Sequence, residues 1–389
     1  MFYRLARASQ ADEPNFMIDR LLFSRKAATI TRKRFLWQAA LHAREGAIMA
    51  NVTIKAVAKD AGVSIATVSR VLNKNYPVSQ ELYQRVMRSV ERLNYYPNSV
   101  ARSLKFDSTL SIGLIVSDIS NSFFSMISRS VEDVVMRERY DLVVCSTDNQ
   151  REKELSYLQL LMSKKVDGLI LNATGKNDAF IATISRALPV VLCGRRVASD
   201  DFQGDFVDSD NLSGAYALTR HLIELGHRKI AILNGQMVVS SARERLEGFR
   251  RAMAGLDIPA DQHYRYYVEG NFTDAASGYR GAERLLGQDE PPTAIVAMNN
   301  ELCVGALRYC HEHGIRIPDQ VSIASYGKIQ NEDLLYVRPS YVVMDAAAIG
   351  TRIAELALER IRGKNQLNNR EVLFSAELVK GNGVRAIEP

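Results

Sequence analysis

Cysteine is scarce. The chain has four in 389 residues, Cys145, Cys193, Cys303 and Cys310, with no CxxC pair and no metal-ligand spacing. A disulfide framework and a zinc finger are thereby excluded, and the four read as buried thiols of a cytosolic protein. Long apolar runs are missing too: none approaches the roughly 18 residues of a membrane span. No charged start, long apolar core and small-residue cleavage site follow one another, so no secretory leader is read. The chain also lacks a G-x-S-x-G elbow, a P-loop, a GxGxxG after a strand and a metal cluster. Asp and Glu are plentiful, but no pair stands out as an acid and a base. His311 and His313 lie two apart, on different sides of a helix, and do not suit a shared metal. No enzyme, catalytic residue, metal or cofactor is expected.

Basic charge, by contrast, is in excess and unevenly placed. The formal net charge is +6. Residues 1–48 hold nine Lys/Arg against four Asp/Glu, residues 49–109 again nine against four, and the remainder 32 against 36. A basic end on an acidic body suits a module that neutralises phosphates and a body that does not. A merely solvated basic surface would not explain the segregation.

Residues Thr53 to Asn73 read TIKAVAKDAGVSIATVSRVLN. Apolar residues recur at helical spacing in Ile54–Ala61, Gly62 breaks the run, and Ser64 can cap a second helix by accepting an orphan amide. Val68, Val71 and Leu72 can then face inward. Ile65, Ala66, Thr67, Ser69 and Arg70 are left for an outer face of a kind that fits a DNA major groove: Arg can take guanine O6/N7 in a two-bond fork, and small apolar groups can touch thymine methyls. An ordinary helical hairpin would show the same spacing. Ser79 opens a third helical run, Gln80–Leu93, with Leu82, Val86, Val90 and Leu93 near a period of 3.6. Asn94–Tyr95–Tyr96–Pro97 and the short run Asn98–Lys105 follow.

These residues carry a resemblance. Thr53 to Lys105 resembles the DNA-binding headpiece of the lac repressor/purine repressor (LacI/GalR) family, with ATVSRVLN (Ala66–Asn73) and PNSVARSL (Pro97–Leu104) as its hallmarks, and the similarity runs on to about Val384. It implies a transcriptional regulator, by family habit a repressor, in the bacterial cytoplasm at the nucleoid. Expected partners are a pseudo-palindromic double-stranded operator, a small-molecule effector and a second copy of the chain. Ile65, Ala66 and Arg70 would read base edges. Thr67, Ser69 and Asn73 would hold phosphates, with Thr53 and Ser64 beside them. Asn98, Ala101, Leu104 and Lys105 would form a minor-groove hinge, Leu104 being the apolar wedge that opens a base step. The hinge run is too short to be a stable helix alone, which would make it a switch.

Residues 1–48 match nothing in the family. Met49–Ile54 looks like a typical family start, so translation is expected to begin at Met49; a disordered basic arm is the alternative. The chain stops soon after a last strand read at Val372–Val379, without a leucine heptad tail, and a dimer is expected.

Past Thr109 strands and helices alternate. Strand-like runs are Ile112–Val116, Leu142–Ser146, Gly168–Leu171, Val190–Cys193, Ile230–Leu233, Ala294–Ala297, Val321–Ser325 and Tyr341–Met344. Helical stretches such as Asn211–Leu225, Ser241–Gly255 and Asn300–Gly314 lie between them. Short apolar strands alternating with helices predict an α/β body of doubly wound parallel sheets. The resemblance implies a two-lobed periplasmic-binding-protein-like fold with three crossings. The expected division is a helix-turn-helix domain at 49–97, a hinge at 98–109 and a body at 110–389. Lobe 1 would be about 110–209 and 345–370, and lobe 2 about 210–344 and 371–389.

Ligands of such sheets sit beyond the carboxyl ends of the strands. That rule points to the loops Asp118–Phe124, Gly194–Arg196, Gly235–Arg245, Met298–Asn300 and Tyr326–Ile329. The resemblance selects Phe123, Phe124, Arg245, Phe272 and Asn299 there; Arg195, Ser241 and Lys328 complete the expected effector set. The family often has Asp at the position of Gly194, almost always at that of Gly327, and commonly at that of Asn300. A cleft that loses carboxylates and keeps Arg195 and Arg245, with Arg196 and Lys328 close by in sequence, favours an anion. The expected effector is a sugar acid, a phosphosugar or another small carboxylate. The lobes alone would also suit a transporter's solute-binding protein or a sugar-processing enzyme, but neither would carry the headpiece.

Overall fold

A computed structural model of the chain describes residues 52–73, 77–95, 108–258, 260, 263–270, 273–363 and 368–387. The chain divides between Ser99 and Val100 into a small helical unit and a large body. The expected hinge residues Asn98, Ala101, Leu104 and Lys105, and Phe272, lie outside the described residues, as does the segment 1–48.

Among the described residues the small unit has three helices: α1 (Ile54–Ala61), α2 (Ile65–Asn73) and α3 (Gln80–Arg92). Thr53 caps α1, its side chain accepting from the Ala56 amide. Gly62 ends α1 at φ 64°, in the left-handed region where glycine carries no Cβ penalty, and its N–H satisfies the Ala58 and Lys59 carbonyls. Ser64 Oγ then accepts the Thr67 amide at 3.1 Å and opens α2. Val57, Ala61, Val68, Val71 and Val86 form the core of this unit, with Leu72, Val90 and Leu93 packed on it. Asp60 of α1 fastens α3 by accepting from Ser89 Oγ and the Arg92 guanidinium.

The body holds two six-stranded sheets. The first contains β1 (Ser111–Val116), β2 (Asp141–Ser146), β3 (Gly168–Leu171), β4 (Val190–Cys193) and β5 (Asp205–Ser209). With β11 (Glu371–Phe374) its order is β11-β5-β4-β3-β1-β2, parallel throughout. The second contains β6 (Ile230–Asn234), β7 (Tyr267–Glu269), β8 (Ala294–Ala297), β9 (Ser322–Tyr326) and β10 (Ser340–Val343). With β12 (Glu377–Val379) its order is β12-β10-β9-β8-β6-β7; only the β10–β12 pair is antiparallel. Apolar residues cover both faces of each sheet, as parallel strands require.

Helices α4 (Ser122–Arg137), α5 (Arg151–Ser163), α6 (Asp178–Ser185) and α11 (Ala346–Arg362) accompany the first sheet. Helices α7 (Asn211–Glu224), α8 (Ser240–Ala254), α9 (Ala275–Leu286) and α10 (Asn300–Glu312) accompany the second. The chain therefore crosses between lobes three times: after β5, after β10 and between β11 and β12.

Two strands and one boundary differ from expectation. The β5 run DFVDS carries two acids in five residues and hides its apolar pair; Asp205 is fully buried because Arg360 and Arg370 neutralise it. The short edge strand β7 was not read either. The run expected as one strand at Val372–Val379 splits at Ser375–Ala376. Glu371–Phe374 pairs with β5 in the first lobe, so the expected assignment of 371–389 to the second lobe is corrected for these four residues.

Candidate functional site

In the helical unit, α2 presents one face outward. Ile65, Ala66 and Arg70 are exposed and Thr67 and Ser69 half-buried, while Val68 and Val71 point into the core. Asn73 ends the helix. Thr53 and Ser64 are exposed and also act as caps, so each has a hydroxyl fixed in direction by the helix it opens. This places the expected base-reading set on a single surface.

In the body, strand order reverses at β1/β3 in one sheet and at β6/β8 in the other. A cleft with about 730 Å³ of unfilled space, part of it open to solvent, lies between the carboxyl ends of these strands. Phe123, Phe124, Arg195, Ser241, Arg245 and Asn299 all line it. Phe123 and Phe124 sit at the start of α4, edge to face at 5.2 Å, and pack on the first-lobe core. Arg195 follows β4 and is buried; its Nη1 donates to Asn149 Oδ1 at 2.7 Å and to the Ala173 carbonyl at 3.2 Å. Arg245, on α8, donates from Nε to Asn211 Oδ1 at 2.8 Å and from Nη1 to the Met298 carbonyl at 2.6 Å. Its guanidinium lies 3.9 Å from the Tyr326 ring centroid. Arg245 is thus held flat by its neighbours and oriented before any ligand arrives. Burial, and then the charge of Arg245, pull Arg195 down to about 10. Asn299 also lines the cleft, although its Oδ1 accepts from the Glu301 and Leu302 amides as the cap of α10.

Several lining residues escaped the sequence reading. Asp208, on β5, is almost fully buried in the cleft wall. Its Oδ1 accepts from the Ser209 amide at 2.8 Å and its Oδ2 from Asn211 Nδ2 at 2.6 Å. Burial pushes its carboxyl up to about 6, against the opposing pull of Arg245 and these hydrogen bonds. Asn172 follows β3 and Asn234 ends β6; Asn121, Thr273, Asn300 and Met344 add to the lining. Asn121 and Asn300 exchange amide hydrogen bonds across the two lobes, Nδ2 of Asn121 donating to Asn300 Oδ1 at 3.1 Å. Asn300, read as a missing acid, is therefore half of a bridge between lobes. The signal for Asp208 was a carboxylate at a strand end, and it needed β5 to be recognised first.

Two expectations are corrected. Lys328 does not line the cleft; its side chain is 59% exposed and pairs with Glu332 at 3.4 Å. The turn around Gly327 is tight, with φ 101°, and a Cβ there would lie 3.0 Å from Met344 Cε, so Met344 occupies the side where a longer residue would project. Of the loop Tyr326–Ile329 only the Tyr326 ring serves the site, as the platform beneath Arg245. Arg196 also turns away from the ligand space. It forks onto Glu371 at 2.7 and 2.8 Å, reaches Glu244 across the lobes at 3.2 Å and stacks on Phe206.

Two family models match the chain. "Bacterial regulatory proteins, lacI family" covers residues 53–98, and "Periplasmic binding proteins and sugar binding domain of LacI family" covers residues 109–381. The HTH-type transcriptional repressor PurR of Vibrio atlanticus is 32% identical over 335 residues, 86% of this chain and 99% of that protein. Among solved structures, the lac repressor dimer bound to operator and the anti-inducer ONPF matches with a TM-score of 0.72 at 26% identity, covering 86% of this chain and 99% of that one. A LacI family regulator of Enterococcus faecium with bound ribose matches with a TM-score of 0.63 at 26% identity, over 72% of this chain and all of that one.

Proposed function

The chain belongs to the LacI family of bacterial regulatory proteins, and from that membership we infer a DNA-binding transcriptional repressor governed by a small molecule; from its cleft we propose that this molecule is acidic. It is not an enzyme: the relatives that it matches are transcriptional repressors. It acts as a homodimer on a double-stranded, pseudo-palindromic operator in the cytoplasm. The outer face of α2 enters the major groove: Ile65, Ala66 and Arg70 meet base edges, while Thr67, Ser69, Asn73, Thr53 and Ser64 hold phosphates. Asn98, Ala101, Leu104 and Lys105 dock in the minor groove, with Leu104 as the wedge. Lobe closure changes whether both hinges of a dimer dock together, so that effector and DNA are coupled as two ligands of one two-state molecule.

One observation carries the acidic reading: two guanidiniums, Arg195 and Arg245, line a single cleft closely enough that the charge of one bears on the other. A carboxylate or phosphate between them relieves that repulsion and accepts their remaining N–H groups in a fork. Calorimetry of the full chain against acidic and neutral sugars tests it. Sugar acids or phosphosugars should bind at least tenfold tighter than ribose or glucose; a neutral sugar as the tightest ligand sinks the acidic assignment.

A further inference from the structure

The linker enters the body between two turns. Strand β1 lies between β3 and β2 in its sheet. The Leu110 and Ser111 carbonyls accept from the Asp141 and Asp167 amides, each at 2.8 Å. The turn from α4 into β2 and the turn from α5 into β3 therefore stand on either side of the linker base. Thr109 Oγ1 also donates to the Lys165 carbonyl at 2.8 Å.

Both turns have the same build. The amide after the turn residue donates back into the helix, Tyr140 to the Val135 carbonyl at 3.0 Å and Val166 to the Leu161 carbonyl at 3.3 Å. The turn residue itself is left-handed: Arg139 has φ 63° and Lys165 has φ 54°. Helices α7, α8 and α10 of the second lobe end in this turn too, and their turn residues are Gly226, Asp257 and Gly314. Glycine takes that conformation freely, and Asp is among the side chains that enter it most readily; Lys and Arg have no such advantage. A cation at a helix C-terminus does meet the favourable end of the helix dipole. The second-lobe helices have the same dipole, yet they place two glycines and an acid there. The first lobe thus keeps two long cations in a disfavoured backbone conformation, at the edge where the linker enters.

Charge at this edge also runs against the rest of the body. Arg137, Arg139, Lys164 and Lys165 are exposed and, among the described residues, enter no ion pair. Of the acids beside them, Glu138 is taken by Arg362 and Asp167 by the linker's donors, which leaves Asp141. Past Thr109 the chain as a whole is acidic, with 32 Lys/Arg against 36 Asp/Glu.

Resting on the reading that residues 98–105 dock in the minor groove, we propose that Arg139 and Lys165 make the linker edge of the body a third DNA contact, one that grips backbone phosphates on the lips of that groove. Three Cα steps, at most about 11 Å, separate Lys105 from Ser108. The minor groove is about 6 Å wide, so both lips lie beside a chain that leaves it. With Arg139 on one side of the linker base and Lys165 on the other, each lip has a cation. Such contacts add affinity and register without reading sequence.

Fluorescence anisotropy of the full chain on a selected operator, over a series of salt concentrations, tests it. Arg139→Gly/Lys165→Gly removes both cations and relieves both turns, so the melting temperature should hold or rise. Operator affinity should fall at least tenfold at about 0.1 M salt. The slope of log affinity against log salt should shrink by about 3 to 4, at roughly 0.9 for each of the four cations a dimer loses. An operator with neutral methylphosphonate linkages at the lips of its central minor groove should bind wild type and variant within twofold of each other. Arg284→Ala/Lys380→Ala removes two exposed cations from the second lobe and should change affinity less than twofold. If the glycine variant melts lower, Arg139→Gln/Lys165→Gln, which drops the charge and keeps a long side chain, takes its place with the same expected loss. Unchanged affinity and slope, or a loss no greater than that of the second-lobe pair, overturns the proposal. The hinge reading stands or falls separately, on whether Leu104→Ala reduces bending of the operator.

Discussion

At Asp208 the fold keeps a carboxylate out of water with two hydrogen bonds and no contacting cation among the described residues. Burial lifts its carboxyl to about 6, so the native state holds a proton there that the unfolded chain, near the ordinary 3.8, has released. The group's contribution to stability is full below about pH 4 and is lost as pH rises through about 6. Asp208→Asn has no such dependence. The stability of the variant minus that of the wild type should therefore rise between about pH 4 and about pH 8, by up to about 3 kcal/mol. Urea unfolding of the full chain at the two pH values, followed through the transition of the body, measures it; a flat difference would contradict the burial of an ionised group. The residue scale is also where the sequence was least legible. Arg245 could be placed from its motif, and Arg195 from its position after an apolar strand. Asp208, Asn172 and Asn234 could not, because a polar residue at a strand end becomes a ligand group only once the strand order sets which ends meet.

Elements were read far better, and for a physical reason. Gly168–Leu171, Val190–Cys193 and Ala294–Ala297 have the predicted bounds because each is a short apolar run buried on both faces, with turn residues at its ends. α1 likewise matches its predicted span, and its stop at Gly62 is the left-handed glycine that the break implied. Strand β5 was missed because its burial is secured by arginines 155 and 165 positions away, Arg360 and Arg370, which no local pattern contains. Two predictions belong to α2. Removing the Ser64 hydroxyl leaves the Thr67 amide without its cap, and Ser64→Ala should lower the stability of the helical unit by about 1 kcal/mol in thermal unfolding. Arg70→Ala should weaken binding to a selected operator by about 1–3 kcal/mol and relax one base position; uniform weakening on all sequences in gel shifts would instead make Arg70 a phosphate contact.

For the molecule as a whole, the question is how a change in the cleft reaches the DNA-binding end. Asp167 marks the exit. Its carboxylate accepts from Ser108 Oγ, from the Thr109 amide at 2.9 Å and from the Leu110 amide at 2.9 Å, at the point where the chain enters β1. The linker base is thus fastened to the loop before β3 and follows the first lobe without slack. Asp167→Ala should leave effector affinity within twofold and shrink the ratio of operator affinities with and without effector toward one. Fluorescence anisotropy on labelled operator reads that ratio, and an unchanged ratio would remove Asp167 from the coupling. Between the lobes run the Asn121–Asn300 amide pair and the reach of Arg196 to Glu244. Neither tie was legible in advance, since both join residues on separate sheets.

The link from β11 to β12 has a mechanical consequence. Only Ser375 and Ala376 separate a strand of one sheet from a strand of the other. The three Cα steps from Phe374 to Glu377 span no more than about 11 Å, so this link is a strap and not a tether. It lets the sheets tilt but not part. Any tilt of one lobe against the other turns about this link, and the edges of the lobes farthest from the strap then move most.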